Sequence, residues 1–212
     1  MDNTNSMMER LDEFLLDVQK PSRYIGGETG SVVKDKSKVD IRFAFCFPDT
    51  YEIGMSHLGM KILYHLLNER SDTWCERVFA PWVDMEDKMR EAKIPLFALE
   101  SMDPIADFDF IGFTLQYEMC YSNIVNMLDL AGVPLLQKDR KEGDPFVVMG
   151  GPCAYSAEAI APFADFFQLG EGEEMMNECM DCYIEWKEKG LPREEFLKMV
   201  SKIDGIYVPS FY

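Results

Sequence analysis

Four short stretches carry the residues that could do chemistry: "PDTYEIGMSH" (48–57), "TLQYE" (114–118), "GGPCAYS" (150–156) and "GEGEE" (170–174). Gly150 and Gly151 let backbone approach a ligand closely, with N–H groups free for phosphate or amide oxygens, or else they make a tight turn. Gly170, Glu171 and Gly172 open a helix, where acidic residues also act simply as complements to the helix dipole. The first stretch packs Asp49, Tyr51, Glu52, Gly54 and His57 into what should be a plain strand-to-helix turn. His57 either approaches a ligand at this rim or caps the turn. Cys179 and Cys182 form a C-x-x-C, half of a zinc site with no second pair, and read as two buried or half-buried helix thiols. A G-x-G-x-x-G after the first strand and a G-x-x-x-x-G-K are both absent, so nicotinamide-dinucleotide and phosphate-loop nucleotide chemistry drop back. No residue stands out as catalytic, and none as a metal ligand.

The elements that must hold these stretches alternate. "IRFAFCF" (41–47), "CERVFAP" (75–81), "IPLFALE" (94–100), "FDFIGFTL" (108–115), "PFVVMGG" (145–151) and "DFFQLG" (165–170) read as strands, the strongest as apolar runs covered on both faces. A helix is expected from Ser56, with Leu58, Ile62, Leu63, Leu66 and Leu67 on its buried stripe. Asp84 with Asp87 resembles a capping box opening a helix to about Ala92. Further helices are expected over 118–131, closed by Gly132, over about 157–161, from Glu171 to a stop at Gly190, and over 193–202. Residues 7–19 read as a short amphipathic helix with Met8, Leu11, Leu15 and Val18 on one face. The segment "SRYIGGETGSVVKDKSKVD" reads as a connector, either a hairpin or an extended arm. Such alternation predicts a doubly wound α/β domain with a parallel sheet, in which ligands bind at the carboxyl ends of the strands. All four stretches then lie on one rim.

A chain of 212 residues can bury one sizeable core, and 47% hydrophobic with 28% charged residues is a globular composition. The formal charge of −17, from 38 acidic against 21 basic residues, argues against unaided binding to nucleic acid or an anionic membrane. No run is long enough to span a membrane, and the N-terminus lacks the layout of a signal peptide. A cytoplasmic location with six reduced cysteines is the expectation.

Taken together, the four stretches resemble the cobalamin-binding-type domain that precedes the catalytic barrel in many radical SAM proteins. Asp49-Thr50-Tyr51-Glu52-Ile53-Gly54 is similar to that family's D-x-H-x-x-G loop, with Tyr51 where His is expected. Ile111-Gly112-Phe113-Thr114 resembles its V-G-x-S/T loop, "VVMGGPCA" (147–154) its V-V-x-G-G-P-x-A signature, and "FFQLGEGEE" (166–174) its G-E-G-E ending. "RFAFCFPDTYEIGMSHLGMKILYHLLN" and "PWVDMEDKMR" resemble an uncharacterised group of such proteins. The resemblance covers about residues 40 to 190. It implies a flavodoxin-like, cobalamin-binding-type Rossmann-like domain there, preceded by a helix and arm (1–39) and followed by a linking helix toward a barrel (191–212). Cobalamin would be held by Asp49, Tyr51, Gly54 and Met55 of the first loop and by Thr114 and Gln116 of the second. Gly150, Gly151 and Pro152, then Gly170, Glu171 and Gly172, would complete its site.

Tyr51 excludes the mode in which a loop histidine ligates cobalt, because a neutral phenol is a much weaker ligand than imidazole. Met55, Gln116, Tyr117 and Tyr155 are bulky near the rim and either stack on a corrin or fill its place. No C-x-x-x-C-x-x-C is present to hold a 4Fe-4S cluster, so the resemblance assigns the cluster and S-adenosylmethionine to a downstream barrel of the same polypeptide. Homo-oligomers are compatible with this reading. The alternatives are a degenerate domain that recruits substrate or packs the barrel, and a free-standing flavodoxin-like or receiver-like module.

Overall fold

Six strands form one sheet: β1 (Ile41–Phe47), β2 (Thr73–Phe79), β3 (Phe110–Thr114), β4 (Phe146–Gly150), β5 (Phe166–Gln168) and β6 (Ile206–Tyr207). They lie in the order β2-β1-β3-β4-β5-β6, the first five parallel and β6 antiparallel to β5. The order 2-1-3-4-5 is the flavodoxin-like arrangement, whose switch point falls between β1 and β3. The doubly wound α/β reading is thus the observed fold. The computed structural model describes residues 7–212, so residues 1–6 of the expected N-terminal segment lie outside the described residues.

The helices are α1 (Met7–Asp12), α2 (Tyr51–Ser56), α3 (Leu58–Glu69), α4 (Val83–Ala92), α5 (Tyr121–Ala131), α6 (Gly172–Lys189) and α7 (Arg193–Val200). Because β1 to β2 steps one way across the sheet and β3 to β4 the other, right-handed connections place α3 and α5 on opposite faces. Arg70 after α3 binds Asn177 and Asp181 of α6, at 3.4 and 2.7 Å, which puts α6 beside α3. Arg90 of α4 binds Asn126 and Asp129 of α5, each at 2.8 Å. Both faces are covered, which is why the strands read as unbroken apolar runs.

Side-chain size falls along the face beneath α3 and α6. Alternate residues share a face, so β3 presents Phe110, Gly112 and Thr114, β4 presents Phe146, Val148 and Gly150, and β5 presents Phe166 and Gln168. At the N-terminal end Phe110 and Phe146 pack in an aromatic cluster with Tyr183 and Trp186 of α6 and Phe196 of α7. Toward the C-terminal end the same rows shrink to glycine and threonine.

Three local expectations need correction. Residues 94–100 are not a strand; only Phe97 forms an isolated bridge, to Pro104. The run is apolar because Ile94, Leu96, Phe97, Ala98 and Leu99 are buried. Its N–H groups serve separate partners, Leu96 donating to the Leu130 carbonyl, Ala98 to Asp103 and Leu99 to Arg77. Residues 51–56 fold into α2, and α3 restarts after His57, which rotates the buried stripe of α3 to Met60, Tyr64 and Leu67 and leaves Leu58 and Ile62 exposed. Helix α4 begins at Val83 after Trp82 with no side-chain cap; Asp84 accepts instead from the Met85 N–H and from the Gln19 N–H.

The segment before β1 is an extended arm rather than a hairpin. The Trp74 indole donates to the Val32 carbonyl, the Val32 N–H donates to the Tyr64 hydroxyl, and Lys34 donates to the carbonyls of Asn68, Arg70 and Thr73. Glu52 of α2 ties down the arm's start. Lys20 and then Arg23 hydrogen-bond its carboxylate and hold the carboxyl at about 2. A carboxyl held below its ordinary 4.5 stabilises the fold above that pH and loses the effect as pH falls toward 2. Glu52 is 42% exposed, so screening keeps the contribution below about 1 kcal/mol. Accordingly, Glu52→Gln should lower stability slightly at neutral pH, and urea titrations of the two proteins should converge as the pH is brought down through that window.

Candidate functional site

Where the side chains shrink, a cavity of about 370 Å³ opens between α3 and α6 at the C-terminal edge of the sheet. Its floor is Phe43, Phe45, Gly112 and Val148, and its upper wall is Thr114, Gln116, Gly150, Gly151 and Pro152. Leu63 and Met60 close it from α3, while Gln168, Gly170 to Glu173 and Met176 close it from β5 and α6. The cavity borders β1 and β3, the switch point where such sheets bind ligands.

Each wall has a local cause. Gly151 has φ +100, and a Cβ there would lie 3.0 Å from Thr114 Oγ1 and 3.1 Å from the Leu115 nitrogen, so the turn after β4 admits only glycine without strain. The turn is stapled to β3, the Leu115 N–H donating to the Gly150 carbonyl at 2.6 Å and the Cys153 N–H to the Leu115 carbonyl at 3.0 Å. Gly150 itself is roomy: a Cβ would find Gln168 Cβ at 3.6 Å, an ordinary contact. The lining contains no Lys or Arg and includes Glu171 and Glu173, so a polyphosphate would meet no counter-charge.

His57 is the N-cap of α3. Its Nδ1 accepts from the Met60 N–H at 3.1 Å and its Nε2 meets Gln116 Oε1 at 3.1 Å. An accepting Nδ1 leaves the ring proton on Nε2, which therefore donates to the Gln116 carbonyl. Gln116 in turn donates to Thr114 Oγ1. The ring also packs on Phe47, with centroids 5.2 Å apart. Both imidazole nitrogens are engaged, so His57 caps the turn while its ring also borders the cavity.

Eight of the twelve expected residues share the cavity: Thr114, Gln116, Gly150, Gly151, Pro152, Gly170, Glu171 and Gly172. The four from the first loop do not line it. Tyr51 turns its ring edge onto Phe79, 5.4 Å between centroids, and burial together with the Glu28 carboxylate pushes its hydroxyl pKa up. Gly54 faces the sheet, where a Cβ would come within 2.2 Å of Phe79 and 3.1 Å of Phe47; its glycine serves helix-on-strand packing. Met55 lays its sulfur 3.4 Å from Arg77, and Asp49 accepts from the Thr50 N–H at 2.7 Å while raising the pKa of the nearby Tyr117 phenol. Tyr117 and Tyr155 are exposed and neither fills the cavity.

Gln168, Leu63, Phe43 and Phe45 were not anticipated. The signal for Gln168 was available: a lone amide inside the apolar run "DFFQLG" is the informative kind of buried polar residue. Cys179 lies one turn from Cys182, buried against Gln168, and burial pushes its thiol up to about 12. Among the described residues no helix is long and apolar enough to cross a membrane.

Comparison with known proteins bears on the whole of this region. A family model described as "Radical SAM proteins, N-terminal" matches residues 59–209. The uncharacterized protein MJ0966 of Methanocaldococcus jannaschii is 29% identical over 133 residues, which cover 61% of this chain and 24% of that protein. The chain thus spans about a quarter of the length of this curated relative. No solved structure matches. With the family model covering more than two thirds of its length, the chain belongs to the family of radical SAM protein N-terminal regions.

Proposed function

We propose that this region is the cobalamin-binding accessory domain of a radical SAM enzyme, holding the cofactor without a histidine on cobalt. The observation that carries the reading is the glycine-rimmed slot between α3 and α6, at the switch point and large enough for the planar base of the nucleotide tail. Gly150, Gly151, Gly170 and Gly172 would border that tail, and the corrin would rest over the strand-end rim. Tyr51 is turned away and both nitrogens of His57 are occupied, so the first loop offers no free imidazole to the metal. When bound, cobalamin supplies methyl-transfer or radical chemistry that amino acids cannot. The radical SAM barrel of the same polypeptide, carrying S-adenosylmethionine and the 4Fe-4S cluster, is the proposed partner.

Binding is measured by equilibrium dialysis of the purified chain against cobalamin, with Gly150→Val as the probe. A Cβ at this position meets only ordinary contacts and valine's methyls narrow the slot, so micromolar retention by the parent and at least about tenfold weaker binding by the variant are expected. In the bound cob(II)alamin form, electron paramagnetic resonance should show no coupling to a protein nitrogen. No retention by the parent would overturn the reading.

That last outcome would favour a cofactor-free domain packing the barrel. The observation on its side is the apolar rim, where Met119 is 82% and Tyr155 74% exposed.

A further inference from the structure

The deepest polar atoms of the slot form a row across three strands. Thr114 pairs with Gly150 in the β3–β4 register, and Gln168 follows the β4–β5 pairs Val148 with Phe166 and Met149 with Phe167, so it stands opposite Gly150. Neighbouring strands are about 4.8 Å apart, which sets Thr114 and Gln168 roughly 10 Å apart with the side-chain-free Gly150 between them. Both flanking residues are more than nine-tenths buried, Gln168 7% and Thr114 8% exposed.

Their hydrogen-bonding capacity is only half used. Gln168 donates through Nε2 to the Cys179 sulfur at 3.4 Å, a weak acceptor, and among the described residues no donor bonds its Oε1. That oxygen would lie 3.9 Å from a Cβ on Gly150, so it faces the space above the glycine. Thr114 Oγ1 accepts from Gln116, which directs the hydroxyl's own proton elsewhere. Gln168 Oε1 therefore offers an acceptor to the open, apolar-floored space above Gly150, and the Thr114 hydroxyl, 3.0 Å from where a Gly151 Cβ would lie, keeps one donor on the other side. A buried polar atom that faces a ligand unable to bond it is penalised by its lost hydration. An all-carbon edge would leave both atoms unpaired, whereas a purine edge carries an amino donor and ring-nitrogen acceptors together.

We infer that Gln168 and Thr114 select a ring bearing both a hydrogen-bond donor and an acceptor on its buried edge, a purine rather than a dimethylated benzimidazole. The inference rests on the cobalamin reading given above and deepens it: the cofactor accepted in the slot is a cobamide whose tail base is adenine. Gln168 Oε1 would accept from the exocyclic amino group and the Thr114 hydroxyl would donate to a ring nitrogen. Neither residue touches the cobalt.

Equilibrium dialysis of the full chain against adeninylcobamide and against cobalamin, each alone, tests the choice. The adenine form should bind about tenfold tighter, the discrimination expected when one buried polar group is left without its hydrogen bond. Gln168→Met, nearly the same volume, and Thr114→Val should each reduce that preference to about threefold or less. Two variants at separate strands keep the test informative if one fails to fold by circular dichroism. Equal affinity of the parent for both cobamides would overturn the selectivity while leaving cobalamin binding intact. Retention of neither would overturn the underlying reading, and the selectivity with it.

Discussion

Asp165→Ala is expected to destabilise the fold by about 3–5 kcal/mol, because it strands two buried guanidinium groups. Asp165 is fully buried at the start of β5. Its Oδ2 accepts from Arg140 Nη1 at 2.8 Å and from the Val147 N–H at 2.7 Å, and its Oδ1 accepts from Arg193 Nη2 at 3.0 Å. Arg140 has no exposed side-chain surface; its Nε donates to the Pro134 carbonyl and its Nη2 to those of Leu135 and Phe163, and burial lowers its pKa. Arg193 reaches the carbonyls of Asp144 and Pro145 and lays its guanidinium 3.8 Å over the Phe146 ring. Without the carboxylate the two cations repel each other in a dry site. Asp165→Asn keeps the shape and removes the charge, so it should lose a similar amount if charge is the cause. Thermal unfolding followed by circular dichroism should fall by roughly 10 °C for a chain of this size. A loss under about 1 kcal/mol in both variants would show that water replaces the carboxylate and that the triad adds little.

Phe196→Ala should cost a comparable 3–5 kcal/mol, the usual range for emptying a buried phenylalanine site. The ring is fully buried and sits at the centre of the aromatic cluster, 4.5 Å from Phe146, 5.5 Å from Tyr183, 5.6 Å from Trp186 and 5.9 Å from Phe110. Edge-to-face neighbours add to the burial term, since each such pair contributes about 0.5–1.5 kcal/mol beyond its area. Phe196→Leu refills most of the volume and should cost less than about 1.5 kcal/mol. Urea unfolding midpoints with unchanged slopes would report the difference as one of stability. Under conditions where Phe196→Ala remains folded, the cobamide binding proposed above should be unchanged in it, because the cluster lies at the opposite end of the sheet from the slot. A variant that folds normally but loses the ligand would break that separation.

Strands β1, β3, β4 and β5 were legible because a run of apolar residues bounded by Gly, Pro or Asp has few other uses in a doubly wound domain. The same pattern misled at residues 94–100. There burial comes from packing beside the edge strand β2, with Arg77, Asp103 and Leu130 each taking one N–H, and apolarity alone does not distinguish a ladder from such separate bonds. The slot was legible where it is built from strand ends, at Thr114, Gly150 and Gly170, since topology alone brings strand ends together. The first loop was not. A motif gives spacing but no direction, and α2 points Tyr51 toward Phe79 and uses Gly54 for contact with the sheet. His57 could be read either way from sequence; the restart of α3 decided it, because only the break after α2 frees the Met60 N–H for the ring.

The arm laid along β2 also has a bearing on how copies of the molecule meet. A parallel sheet of this kind has two open margins, each a template for adding strands from another chain. Val32, Lys34, Leu99 and the Glu100 carboxylate occupy hydrogen-bonding groups around β2 at one margin, the last accepting from the Arg77 N–H. The two-residue, antiparallel β6 occupies the other. Strand-to-strand stacking into fibres is thereby obstructed from both sides, and the excess of negative charge keeps approaching copies apart before they can test either margin.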